Sequence, residues 1–111
     1  MAYSQVILYE PLRTFDSASL SGTYQPLGTP LANAASIIKL VNSSNVAVKV
    51  SVDGINDDDI LPANSSVVYE ITTNRPSSLN ALFVPQGRQY SVKGTAGVGL
   101  IYLVVQYVKQ V

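Results

Sequence analysis

Between Val46 and Asp53 the chain alternates without a break, with Val46, Val48, Val50 and Val52 set against Ala47, Lys49, Ser51 and Asp53. Successive strand side chains point to opposite faces, so this spacing predicts a strand with a buried valine row and a mostly polar outer row. β-Branched residues suit that half-buried, pleated setting. Asp53-Gly54 and Pro62-Ala63-Asn64-Ser65 supply turn chemistry on either side of an acidic segment. Beyond it, Val67, Tyr69 and Ile71 alternate with Val68, Glu70 and Thr72, predicting a second strand. Together these read as a two-stranded unit joined by an acidic loop of about ten residues, longer than the usual hairpin connection.

The rest of the chain repeats this grammar. Residues 36–41 (SIIKLV) predict a strand that turns through Asn42-Ser43-Ser44-Asn45 into the valine strand, so residues 36–52 read as an antiparallel hairpin. Residues 15–22 read as a turn region. Pro26, Gly28 and Pro30 restrict residues 22–31 to an edge strand or an irregular crossing, because proline cannot donate to a ladder. Residues 32–35 allow one helical turn at most. Residues 73–78 read as a loop, residues 82–84 as a short strand, and residues 89–93 as an alternating one. A glycine-rich turn at 94–99 then leads into the longest strand, residues 98–108. That strand carries Leu100, Tyr102 and Val104 on one face and Ile101, Leu103, Val105 and Tyr107 on the other. Being apolar on both sides, it is expected to lie centrally or to be covered outside by another subunit.

Seven or eight short strands at such intervals, with no helical window, predict an all-β fold: a single antiparallel β-sandwich, jelly-roll or immunoglobulin-like. The domain is expected to span residues 13–111. Residues 1–12 stand apart, because QVILYE is a continuous apolar run cut off by Pro11. Such a run reads either as an extended arm that adds to a neighbour's sheet edge or as the first strand of its own sandwich. In the arm reading, Val6, Ile7, Leu8 and Tyr9 contact another copy or another protein, with Tyr102 and Tyr107 as secondary contacts.

Composition narrows the chemistry. The 111 residues suit one domain with one core. Seven basic and seven acidic residues cancel, and only 13% of residues are charged while 47% are hydrophobic. Lys and Arg are scattered, which argues against a nucleic-acid partner. The low charge reads either as surface covered by a partner or as an ordinary monomer whose polar surface is uncharged and rich in Ser, Asn and Thr. The start of the chain has no basic, apolar leader pattern, and the longest apolar run falls short of the ~20 residues that span a bilayer, so a cytoplasmic site of synthesis and no membrane partner are expected. Cysteine and histidine are both missing, which removes disulfides, thiolate chemistry and the usual Ser-His-Asp and Cys-His machinery. An enzyme and a cofactor are therefore not expected.

The acidic loop concentrates four of the seven carboxylates, and Asp53, Asp57 and Asp59 are the candidate calcium ligands. Their spacing does not follow an EF-hand, whose twelfth position would here be Asn64, so a solvated turn is the expected role. Glu10 and Asp16 could serve as an acid–base pair only if the fold brought them together. The glycines at 94–99 lack the Lys-Ser/Thr of a phosphate-binding loop. The seven tyrosines suit either a stacking face or the amphipathic edge of an interface.

Residues 21–74 carry Ser21-Gly22-Thr23-Tyr24, Leu27-Gly28-Thr29-Pro30, Ile38-Lys39-Leu40-Val41-Asn42, Val50-Ser51-Val52-Asp53-Gly54, Leu61-Pro62-Ala63-Asn64-Ser65 and the run from Tyr69 to Asn74. On these motifs the stretch resembles small virion structural proteins of tailed bacteriophages. Phe83-Val84-Pro85, Val92-Lys93-Gly94 and the hydrophobic final strand extend the resemblance. The resemblance implies a β-sandwich subunit of a particle: a decoration protein on the capsid, a head–tail connector or neck protein, or a tail component. Its implied partners are other virion proteins and copies of itself. It implies no catalysis. The alternative expectation is a receptor- or glycan-binding module of a tail or fibre.

Overall fold

The computed structural model describes residues 5–70 and 84–110. The sequence expectations for residues 1–4, 71–83 and 111, including the loop at 73–78 and most of the 82–84 strand, lie outside them.

Among the described residues nine strands follow in order: β1 (Gln5–Tyr9), β2 (Arg13–Asp16), β3 (Gln25–Pro26), β4 (Ile37–Asn42), β5 (Val48–Ser51), β6 (Asp59–Leu61), β7 (Ser65–Glu70), β8 (Ser91–Gly94) and β9 (Leu100–Gln110). They form two antiparallel sheets packed face to face, so the protein is an all-β sandwich. The larger sheet runs β1-β9-β4-β7, with β2 also paired to β9; the smaller runs β3-β8-β5-β6. The strands beyond the expected seven or eight come from short pieces. The N-terminal edge is split in two at Glu10–Leu12, and the two-residue β3 and three-residue β6 are too brief to show a period.

The core lies where the alternation placed it. Val48 and Val50 are buried, and Val46 and Val52 pack against the core's margin. Facing them, Ile38 and Leu40 of β4 and Ile101, Leu103 and Val105 of β9 are fully buried. Leu20, Leu27 and Leu31, from the irregular stretch between β2 and β4, close one side of the sandwich.

Two pairings differ from expectation. Residues 36–52 are not a hairpin: β4 pairs with β9 and β7, while β5 pairs with β6 and β8 in the other sheet. Asn42 explains the crossing. Its buried amide donates to the carbonyls of Val46 (2.8 Å), Leu61 (3.1 Å) and Pro62 (3.1 Å), and its Oδ1 accepts from Ser44 N (3.0 Å). A side chain that satisfies backbone from the connections on both sides holds the chain in a step between sheets instead of a tight return. The valine strand and β7 likewise do not pair. The acidic loop closes a hairpin between β5 and β6, and the chain then turns through Asn64, in the left-handed region (φ 54°), into β7 of the larger sheet.

At the N-terminus, Gln5–Tyr9 lies in the chain's own sheet, along the second half of β9 from Gln106 to Gln110. Residues 5–9 therefore take the first-strand alternative and are not a free arm. The reason is hydrogen-bonding supply. β2 occupies β9 only from Leu100 to Leu103, so the remaining half of the longest strand offers a ladder to β1.

Candidate interaction surface

The face of the larger sheet turned away from the core carries a run of exposed and half-buried apolar side chains. Directly paired residues share a face, so the ladder registers assign it. Tyr9, Gln106 and Ile37 form one row; Val104, Lys39 and Val68 another; Thr14, Tyr102, Val41 and Ser66 a third; Leu100 pairs with Asp16 and Ile7 with Val108. Tyr9 is 67% exposed, and Ile7 and Val68 are each 53% exposed. Ile37, Val41, Tyr102, Val104 and Val108 are half-buried. The apolar stripe follows β9, with Thr14, Asp16 and Ser66 at its margins and with Gln106 and Lys39 set among its apolar residues. Exposed apolar area interspersed with polar side chains is a feature of protein–protein contact surfaces.

The six interface candidates from the sequence divide between two faces. Ile7, Tyr9 and Tyr102 join the stripe. Val6, Leu8 and Tyr107 take the opposite parity, with Val6 paired to Lys109 and Leu8 to Tyr107. Ile37, Val41 and Val68 belong to the stripe but were not singled out from the sequence. Their outward parity is legible only once β9 is known to pair with β4 and β4 with β7.

The acidic loop is committed to its own fold. Asp53 accepts from the backbone N–H of Ile55 (2.8 Å) and Asn56 (2.9 Å), from the Asn56 amide (2.7 Å) and from the Ser51 hydroxyl (2.8 Å). These bonds, led by the Asn56 N–H, hold its carboxyl well below the usual range. Asp58 accepts from Val52 N (2.9 Å) and Asp59 from Ile60 N (2.7 Å). Asp57 swings over the outer face of the smaller sheet, where Tyr24 donates to it and Lys93 and Lys49 stand 3.2 and 3.4 Å away. Tyr24's hydrogen bond and the lysines lower its pKa to about 2. Burial, then the Asp57 carboxylate, push the Tyr24 phenol up. Lys93 also lies 4.7 Å from the centre of the Tyr24 ring. Lys49 and Lys93 sit directly opposite on paired strands, an arrangement that like charge disfavours. Asp57 supplies the compensating charge. Among the described residues, no three acidic side chains converge as a metal cage would require, and Asp53, Asp57 and Asp59 each face different partners. Beside this cluster an open pocket of about 580 Å³ is lined in part by Leu20, Lys49, Ile60 and Lys93.

Glu10 and Asp16 are not brought together. Asp16 is exposed and caps the short 3-10 turn Ser17–Ser19 through Ala18 N (3.0 Å). Glu10 is buried against Arg13, with Nη2 to Oε1 at 2.7 Å. Arg13 Nε donates to Thr29 O (2.7 Å) and Nη2 to Pro30 O (3.0 Å), while Glu10 accepts from the N–H groups of Ala32 (3.3 Å) and Asn33 (2.8 Å) and from the Asn33 amide (3.0 Å). Burial raises the Glu10 pKa, but Arg13, Asn33 and Ala32 outweigh it and hold the carboxyl below its ordinary value. Gly28, at φ 71°, lets the loop pass over the Arg13 stem, where a Cβ would come within 2.6 Å of Arg13 Cγ. The pair is a clamp that ties the 28–33 loop to the break between β1 and β2.

No protein-family model matches this chain, and no match is found among curated proteins or solved structures.

Proposed function

We propose that this chain is a structural component of a tailed-phage virion, assembling in multiple copies through protein–protein contacts on the head or at the head–tail neck. The observation that carries the assembly reading is the apolar stripe along the outer face of β9, left uncovered by this chain's own described residues. The particle itself comes from the resemblance of residues 21–74 to small phage virion proteins. In this reading the protein performs no chemistry and carries no cofactor. Its partners are capsid, neck or tail proteins and further copies of itself.

Mixing the purified chain with empty heads or tails tests the proposal. Saturable, stoichiometric addition is the expected result, and the symmetry of the added density then separates decoration from neck. Absence of addition to any particle overturns it. A second reading, a glycan- or receptor-binding module, draws on the pocket beside Tyr24, Lys49 and Lys93. Binding to host-cell glycans without particle association would favour that reading.

A further inference from the structure

Sheet edges are where one β protein recruits another, and natural edges are usually guarded by charge, proline or brevity. Here β3 has two residues and contains Pro26, β6 has three and opens with Asp59, and β2 is bracketed by Arg13 and Asp16. β7 ends in Glu70, and part of it lies against β6. β1 is the exception. Its five residues, QVILY, contain no charge and no proline.

The direction of its unpaired backbone groups follows from one bond. Glu10 N donates to Val105 O (3.0 Å), and Glu10 continues the β1 register opposite Val105. In an antiparallel ladder, bonded residues alternate with residues whose N–H and C=O point the other way. Leu8 and Val6 therefore bond to β9, while Gln5, Ile7 and Tyr9 direct their N–H and C=O groups outward along an edge that no other described strand covers. Ile7, the middle member of that set, is 53% exposed, and Tyr9 is 67% exposed. β9 continues beyond Gln106, where its pairing with β4 ends, so residues 107–110 pair, among the described residues, with β1 alone, as a two-strand ribbon. A ribbon that thin is marginal by itself and gains from a third strand.

We propose that β1 is a self-association edge: two copies of this chain pair antiparallel through Gln5–Tyr9 about a two-fold axis at Ile7, joining their larger sheets into one. A second copy is the partner that fits. The segment is uncharged, so its own image meets no like-charge repulsion, and an antiparallel pairing centred on Ile7 sets Gln5 against Tyr9. Every outward donor then meets an outward acceptor, in about six main-chain bonds. Ile7 of each copy lies opposite its equivalent on the outer face, next to Val108. An isologous contact of this kind closes on itself. The inference deepens the self-association part of the function proposed above and does not depend on the particle.

Sedimentation of the purified chain should show a reversible dimer. Ile7→Lys places like charges face to face at the axis without touching the β9 ladder, and is expected to leave circular dichroism unchanged and the protein monomeric where the wild type is dimeric. The chain has no cysteine, so Ile7→Cys introduces a lone thiol. Bonded antiparallel pairs have Cα atoms about 5.5 Å apart, inside the disulfide range of about 4.4–6.8 Å, so this variant should oxidise to a covalent dimer, while Val6→Cys, opposite Leu8 of the other copy, should not. A monomeric wild type, a dimer indifferent to Ile7→Lys, or equal cross-linking of the two cysteine variants overturns the proposal. A chain that is monomeric yet still adds to particles removes the β1 dimer and leaves the assembly role. A dimer that adds to no particle does the reverse.

Discussion

Replacing Glu10 with Gln is expected to destabilise the protein by about 3–5 kcal/mol, the range for stripping one partner from a buried ion pair. The magnitude rests on burial. The side chains of Arg13 and Glu10 are only 6% and 2% exposed, so water cannot replace the lost charge. After Glu10→Gln, Arg13 keeps the carbonyls of Thr29 and Pro30 but has no anion within reach, and the bonds from Ala32 and Asn33 lose their charged acceptor. For a domain of this size, at about 4–8 °C per kcal/mol, the loss corresponds to a fall in Tm of about 12–40 °C, or a urea midpoint lower by about 1–5 M. Since whole domains are stable by about 5–15 kcal/mol, the variant should be marginal. The pH dependence has a defined sign. Glu10 has a folded pKa below its ordinary 4.5, so its contribution is complete above pH 4.5 and is lost as pH falls through the lower folded value. Wild-type stability should therefore decline in that acid window more steeply than the variant's. Arg13→Met on top of Glu10→Gln removes the stranded cation and should recover part of the loss. Equal urea midpoints for wild type and Glu10→Gln, with equal slopes, would refute the clamp.

Val50→Asp puts a carboxylate at a position only 2% exposed and should unfold the domain, costing about 4 kcal/mol or more, whereas Lys49→Asp, one residue away and exposed, should remain folded by circular dichroism. Asn42→Leu removes the donor shared by the Val46, Leu61 and Pro62 carbonyls and should cost about 1–3 kcal/mol by urea melting; an unchanged midpoint would show that the inter-sheet crossing is held elsewhere. Val104→Lys, on the half-buried outer stripe, should melt close to the wild type yet fail to add to particles. Millimolar calcium and a chelator should give the same Tm, because the acidic loop's carboxylates are already engaged by backbone, hydroxyl and lysine donors; a rise of about 4–8 °C with calcium, near 1 kcal/mol, would contradict this.

What the sequence determined by itself is the local grammar. Alternation at 46–52 and 98–108 identified strands and core faces because side-chain direction has a period of two wherever the backbone is extended, whatever it pairs with. Val48, Val50, Ile101, Leu103 and Val105 are buried for that reason. Partners are another matter. The turn at 42–45 looks like a hairpin return, yet Asn42 reaches across to Leu61 and Pro62 and sends β4 and β5 into different sheets. Those two carbonyls lie about twenty residues further along the chain, so no local window contains the information. The same holds for the Glu10–Arg13 clamp, most of whose other acceptors and donors come from residues 29–33, and for Asp57, which meets Tyr24 and Lys93 only after the sheet is assembled. It holds for the apolar outer stripe as well, since Ile37, Val41 and Val68 join Tyr102 and Val104 only through the β7-β4-β9 order. Periodicity is a property of a strand alone, whereas a surface is a property of neighbours, and only long-range pairing decides who the neighbours are.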